Sequence, residues 1–159
     1  MAAKVKIVQG QPSWSIQSSL VAAHVTCAGG HLGPIIFQLR GRKIAPLSVA
    51  PWAMEHHTPE LPTVLRVLRG DFFCLPFGGN QTTYRGEHHP IHGETANARW
   101  QYIGTTSGKK RHTLHLRLAT QIRPGIVDKY ITLIDGQTMV YQNHIISGMR
   151  GTMTMGHHA

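Results

Sequence analysis

The sequence predicts an all-β protein folded as an antiparallel β-sandwich, and three observations support this prediction. No segment keeps the apolar period of a helix, while short β-rich runs follow one another along the chain. Turn formers are abundant, with 17 Gly and 9 Pro in 159 residues. Hydrophobic residues make up 41%, which is enough for a packed core. Because this length suits one domain of ordinary size, we expect residues 1–159 to form a single domain.

The first predicted strands lie in the N-terminal third of the chain. Residues 3–9 alternate between apolar and polar side chains, which predicts a short strand. Residues 19–27 form an apolar run between Gln-Ser-Ser and Gly-Gly, which predicts a second strand. Residues 35–39 and 43–49 flank the Arg-Gly-Arg at 40–42, and this arrangement predicts a hairpin with a tight turn.

The middle of the chain predicts one buried strand between two loops. Residues 72–77 are continuously apolar and aromatic, as in a strand that is covered on both faces. Residues 53–62 are polar and flanked by Pro, and residues 78–90 are rich in Gly, Asn, Thr and charged side chains. We expect both polar stretches to be loops.

The C-terminal half predicts a second group of strands. Residues 112–120 alternate cleanly, with Leu114, Leu116 and Leu118 on one face. Residues 129–134 and 138–146 flank an Asp-Gly pair at 135–136, the dipeptide typical of a two-residue hairpin turn. Together these segments favour an antiparallel, sandwich-like arrangement.

Charge and composition limit the classes of partner that we expect the protein to bind. The chain has 16 Lys and Arg against 7 Asp and Glu, a formal charge of +9. This excess raises nucleic acid as a partner. However, the basic residues are dispersed, their one run (residues 109–111) lies at a predicted hairpin tip, and aromatic residues are only 7%. We therefore predict no nucleic-acid partner.

The sequence also indicates the cellular compartment in which we expect the protein. The first ten residues lack the apolar region of a signal peptide, and no apolar run approaches the roughly 20 residues that span a bilayer. We predict a cytoplasmic protein with no membrane partner. Cys27 and Cys74 lie in apolar stretches, which is typical of reduced core cysteines.

Side chains that can take part in catalysis are concentrated in residues 88–94. This segment contains His88, His89, His92 and Glu94 and follows a Gly-rich loop directly. A neutral imidazole donates or accepts a proton near pH 7, so it suits acid–base work on sugars, carbonyls or esters. Gly93 would let a ligand or a backbone segment approach the His92 ring closely. The alternative is a solvated, His-rich loop with one structural histidine.

A metal site is a further alternative for the same segment. His89, His92 and Glu94 supply two imidazoles and one carboxylate, ligands that suit Zn, Fe or Mn. A small β-barrel with such a cluster would look like a cupin. The cupin pattern, however, has two histidines separated by one residue, a Glu some four residues on and a distant third histidine. Because the spacing here differs, we rank a cupin-like metal-binding protein lower and predict no metal.

Four motifs resemble the aldose 1-epimerase (galactose mutarotase-like) superfamily, particularly its hexose-6-phosphate epimerase branch. Those proteins carry an Arg-Gly-Gly strand that ends in Cys-Phe-Pro-x-Phe-Gly, then His-Gly-Phe-Ala-Arg and a Trp. The corresponding segments here are Arg69-Gly70-Asp71, Cys74-Leu75-Pro76-Phe77-Gly78, His92-Gly93-Glu94-Thr95-Ala96 and Trp100. Residues 29–34 resemble the segment where the family folds its first sheet, and residues 147–158 resemble the strand that delivers a second active-site histidine.

The resemblance implies a β-supersandwich larger than 159 residues, so we expect this chain to be its N-terminal part. It implies mutarotation of a cyclic aldose without a cofactor: a carboxylate takes the O1 proton and a histidine protonates the ring oxygen. Carried over, His157 is the expected acid and His92 the second histidine. His158 is the alternative to His157, because a shift of one residue turns the other side chain inward.

The resemblance also implies which side chains bind and what they bind. The expected substrate is a monosaccharide or a sugar phosphate, although Ala96 stands where the family has an Arg. The side chains expected to bind it are Asn80, Arg85, Glu94, Arg99 and His158. The family's catalytic Glu falls beyond residue 159, so a non-catalytic sugar-binding module is the alternative to an enzyme. Half a supersandwich leaves an apolar face and strand edges open, so self-association is a further expectation.

Overall fold

The computed structural model describes residues 4–159, which form two antiparallel sheets and a two-stranded ribbon. The first sheet has the order β1-β2-β3-β4-β5 and the second the order β10-β9-β8-β7. The predicted all-β, antiparallel sandwich is therefore confirmed.

The strands of the first sheet are β1 (Lys6–Val8), β2 (Gln11–Gln17), β3 (Val21–Thr26), β4 (Leu32–Leu39) and β5 (Arg42–Ile44). The second sheet consists of β7 (Gln101–Gly108), β8 (Arg111–Thr120), β9 (Gly125–Ile134) and β10 (Tyr141–Ser147). The ribbon pairs β6 (Phe72–Cys74) with β11 (Gly156–His158). A one-turn helix, α1 (Thr63–Arg66), and a 3₁₀ turn (Glu94–Ala96) complete the fold.

The first sheet contains the predicted hairpin and one strand that was not predicted. In the hairpin, Phe37 of β4 lies opposite Ile44 of β5. Strand β5 ends at Ile44, before the predicted end at residue 49, and Pro46 follows, which has no N–H to donate. The strand expected over residues 3–9 is the shorter β1, and residue 3 lies outside the described residues. Strand β2 escaped prediction because polar residues and a proline surround its two buried apolar side chains, Trp14 and Ile16.

The second sheet follows the sequence pattern closely. The three leucines of β8 are buried on one face, as the alternation predicts. Strands β9 and β10 pair through a connection over residues 135–140, which is longer than the predicted two-residue turn and begins at Asp135-Gly136 with a Gly136 φ of +81°. Strand β7 was not predicted, because most of its side chains are exposed and carry no apolar alternation. It pairs with β8 across a tip formed by Lys109 and Lys110, where the basic run was expected.

Buried side chains from both sheets form one core, to which β6 contributes as well. Trp14 and Val25 of the first sheet join Leu116 and Ile131 of the second in one cluster, together with Phe73 of β6. Burying a large apolar side chain contributes about 1.5–3 kcal/mol, so this shared core holds the sheets together.

Strand β6 is covered on both faces, as the sequence predicted. Phe73 packs in the main core, while Phe72 and Cys74 pack in a second cluster with Val64 and Ala96. Cys74 and Cys27 are both free and buried, as predicted. Among residues 4–159, no helix has the length and apolar character needed to cross a membrane.

Candidate functional site

Strand β11 carries two adjacent histidines whose side chains point to opposite faces of the ribbon. His157 lies opposite Phe73 of β6, and His158 lies opposite Phe72. Successive side chains of a strand alternate between faces, so the ribbon register decides which residues each histidine meets. One face adjoins the main core and the other adjoins the smaller cluster around Phe72.

His158 and His92 come together on the face of Phe72, which we call the His92 face (His92, His158, Phe72 and Phe77). The His158 ring stacks on Phe72, with centroids 4.9 Å apart and planes 8° apart. The His92 ring meets His158 edge-on at a centroid distance of 5.1 Å, and it contacts Phe77 at 5.4 Å. Two imidazoles and two aromatic rings therefore share one surface.

The backbone around His92 fixes the tautomer of its ring. The Gly78 N–H donates to His92 Nδ1 at 3.3 Å, and the His92 N–H in turn donates to the Gly78 carbonyl. Since Nδ1 accepts a hydrogen bond, the proton of the neutral ring lies on Nε2. Burial, and then the nearby His158, lower the pKa of His92 below its ordinary value. His92 is thus a neutral hydrogen-bond donor at pH 7.

Of the two close approaches expected at Gly93, by a ligand or by a backbone segment, the structure shows a backbone segment, which lies against Gly93 itself. Its φ is +75°, and a Cβ at this position would lie 2.0 Å from the Leu75 carbonyl oxygen. The glycine allows the backbone after His92 to pass against β6, where Leu75 and Gly93 form a bridge. The close approach is made by the backbone of the protein itself.

His157 lies on the opposite face, in a hydrogen-bonded group with Asp71. Its Nδ1–H donates to the Asp71 carboxylate, at 2.8 Å and 3.1 Å from the two oxygens. Gln142 Nε2 also donates to Asp71, and the ring of His144 lies 5.2 Å from that of His157. A carboxylate that holds Nδ1–H leaves Nε2 free to accept or donate a proton, an arrangement suited to acid–base chemistry.

A buried lysine lies behind this group. Lys129 is fully buried and faces His144 across the β9–β10 pairing, and its Nζ donates to the Gly30 carbonyl. The Nζ also lies 5.5 Å from the centre of the Trp100 ring. Burial lowers the pKa of Lys129 to about 8. Burial, and then the lysine charge, lower the pKa of His144 to about 2, so His144 stays neutral.

The predicted binding residues of the 78–90 loop have contacts within that loop. Asn80 donates to the carbonyls of Thr82 and Glu87 and accepts from the His89 N–H at 2.8 Å. Arg85 is exposed in a turn, with its guanidinium 5.3 Å from the centre of the Tyr84 ring. Asn80 therefore holds the loop together, and Arg85 lies at its surface.

Glu94 and Arg99 also make their contacts with residues outside the His92 face. The Glu94 carboxylate accepts from the N–H groups of Gln121 and Ile122, at 2.9–3.0 Å. Arg99 is exposed and forms a backbone bridge with Ala28. Glu94 therefore anchors the turn after β8, and its expected binding role stays a prediction.

The metal-ligand pattern of the sequence does not form a cluster. His89 Nε2 pairs with Glu87 at 2.9 Å, His92 packs among aromatic rings, and Glu94 holds backbone N–H groups. Within the described residues 4–159, no group of three or more His, Cys, Asp and Glu side chains is placed to hold a metal ion. In this part of the chain, the three residues of the predicted ligand pattern thus have separate contacts.

Sequence reasoning missed four polar residues around the ribbon. Asp71, Gln142 and His144 surround His157, and His31 stacks on Phe72 at 4.2 Å. The sequence indicated His144 only weakly, because it is a polar side chain within the strand predicted at residues 138–146. The others depend on pairing between distant segments, which no local pattern reports.

The described residues adopt a mutarotase-like β-sandwich fold, as a comparison with solved structures shows. The similar structure is the crystal structure of a candidate mutarotase, YeaD, from Salmonella typhimurium, with 15% sequence identity and a TM-score of 0.52. The match covers 84% of this chain and 46% of that chain, so the chain spans about half the length of YeaD. No family model and no curated protein sequence matches the chain.

Proposed function

We propose that the protein is an aldose 1-epimerase-like enzyme, which interconverts the anomers of a cyclic aldose on the His92 face. The mutarotase-like fold supports the class of activity. The observation that carries the proposal is the pair of imidazoles, His92 and His158, 5.1 Å apart beside the rings of Phe72 and Phe77. Aromatic rings offer apolar surface to the C–H groups of a sugar, and imidazoles offer proton donors and acceptors to its oxygens.

The reaction requires two proton transfers across the hemiacetal. A base removes the O1 proton while an acid protonates the ring oxygen, so that the C1–O5 bond breaks and the C1–O1 carbonyl forms. Rotation about C1–C2 and the reverse transfers close the ring with the other configuration. In this proposal His158 is the acid, and His92, a neutral Nε2–H donor, binds a sugar oxygen. The resemblance assigns the base to a carboxylate.

The choice of His158 over His157 follows from the register of the ribbon. The sequence favoured His157 with His158 as its alternative, but His157 faces Asp71 on the side away from His92. A single sugar ring in contact with His92 meets His158 first. His157 stays the rival acid, because Asp71 orients its ring for proton transfer.

Three variants of the protein test this assignment in a mutarotation assay followed by polarimetry. We expect His158→Ala to lower kcat by about 10²–10⁴-fold, since general acids contribute on that scale. His92→Ala should act mainly on KM, because a hydrogen bond present in both ground and transition states changes uniform binding. His157→Ala tests the rival assignment and should leave kcat within about threefold if His158 is the acid.

Other outcomes would reassign the site. A loss of kcat in His157→Ala alone would transfer the acid role to the Asp71–His157 pair. If all three variants keep the wild-type kcat and KM, the catalytic proposal is wrong. Sugar binding that persists in a protein without mutarotase activity, measured by NMR titration, would then favour the sugar-binding module.

A further inference from the structure

A cavity lies directly beside the His92 face and shares the Phe77 ring with it. It has a volume of about 290 Å³ and lies between the loop after β6 and residues 152–154. The ring of Phe77 lines this cavity and also contacts His92 at 5.4 Å. The thickness of one aromatic ring therefore separates the cavity from the imidazole that we assign to sugar binding.

The wall of the cavity includes a buried imidazole with one unused nitrogen. His89 is only 8% exposed, and its Nε2 bonds to Glu87 at 2.9 Å. Across residues 4–159, its Nδ1 is buried and meets no hydrogen-bond partner. A buried polar atom without a partner is unfavourable, so a ligand hydroxyl that reaches His89 Nδ1, once the ring turns toward the cavity, would complete a hydrogen bond.

The charged groups of the cavity neutralise each other. Arg123 donates to both oxygens of Glu87, at 2.9 Å and 2.7 Å, and also to the Thr152 carbonyl at 2.7 Å. Because the guanidinium is matched by a carboxylate, the cavity offers no uncompensated positive charge to a phosphate. These contacts favour a neutral ligand.

Two aromatic side chains give the cavity an apolar surface. Phe77 is 46% exposed and Tyr84 is 67% exposed, and both line the cavity. Large exposed rings beside a few convergent polar groups are typical of a small-molecule site. The ligand that matches aromatic rings, one free imidazole nitrogen and no net charge is a neutral ring that carries hydroxyl groups.

We propose that this cavity binds a second, neutral sugar ring, joined to the one at the His92 face. The substrate class is then the end of an oligosaccharide, in place of a free monosaccharide or a sugar phosphate. This inference rests on the proposed function, because it takes the His92 face as the first sugar site.

Isothermal titration of the protein with matched sugars tests the second site. The probes are glucose with maltose, galactose with β-1,4-galactobiose, and glucose 6-phosphate. We expect one disaccharide to bind about tenfold or more tightly than its own monosaccharide, and glucose 6-phosphate to gain nothing over glucose. Tyr84→Ala should abolish the disaccharide gain and leave monosaccharide binding unchanged. Tyr141→Ala, which removes an exposed tyrosine from β10, is the control and should keep the gain.

The outcomes separate this inference from the proposed function. If a monosaccharide binds and His92→Ala weakens that binding, but no disaccharide binds more tightly, the second site is wrong and the proposed function stands. A disaccharide gain that survives Tyr84→Ala, or tight binding of glucose 6-phosphate, also overturns the second site. If no sugar binds, both proposals fail. In the expected case, the ¹⁵N chemical shift of His89 Nδ1 changes with the disaccharide and not with the monosaccharide.

Discussion

We expect acidification from pH 7 to pH 5 to lower the free energy of unfolding by about 4 kcal/mol. Two histidines are the cause. Burial lowers the pKa of His31 to about 3 and that of His144 to about 2, against 6.5 for an ordinary histidine. Between pH 6.5 and 3, these two histidines therefore bind protons in the unfolded chain but not in the folded chain. As the pH falls from 7 to 5, the free energy of unfolding decreases by about 2 kcal/mol per histidine.

Urea unfolding at several pH values measures this effect, and one variant apportions it. His144→Phe removes one of the two groups, so the loss between pH 7 and pH 5 should shrink to about 2 kcal/mol. His88→Phe, which changes an exposed histidine, should leave the wild-type loss unchanged. Equal unfolding free energies at pH 7 and pH 5 in the wild-type protein would show that neither histidine is held neutral by burial.

Lys129→Met is expected to raise the free energy of unfolding at pH 7 by about 2 kcal/mol. Lowering the pKa of a lysine from 10.5 to about 8 costs about 3 kcal/mol while the amine stays charged. Methionine has a similar shape without this cost. The variant also removes the hydrogen bond from Lys129 to the Gly30 carbonyl. This loss reduces the expected gain in the free energy of unfolding by about 1 kcal/mol.

The pH dependence gives a signature that packing alone would not produce. Above pH 8 the folded amine loses its proton while the unfolded amine keeps it up to about pH 10.5, so wild-type stability should rise through this window. Lys129→Met should lack that rise. Lys43→Met, at an exposed position of β5, is the control and should stay within about 0.5 kcal/mol of the wild type. A destabilised Lys129→Met protein would contradict the expectation.

Local patterns in the sequence determined the parts of the fold whose information lies within a few residues. Alternating leucines define β8, because a strand with one buried face needs an apolar side chain at every second position. Asp135 and Gly136 define the β9–β10 turn, because that turn needs a residue that accepts a positive φ. Strands β2 and β7 lack such a pattern, and pairing with neighbours holds them in place.

Only the tertiary structure decided how the candidate site is arranged. The sequence identified the histidine pair of β11 and the motif at His92, and the resemblance suggested that they meet. Which member of the pair faces His92 depends on the register between β6 and β11, which are separated by some eighty residues. A shift of one residue would exchange the faces of His157 and His158, and no local pattern specifies that register. The same pairing brings Asp71 to His157, a contact that becomes visible only when both strands are placed together.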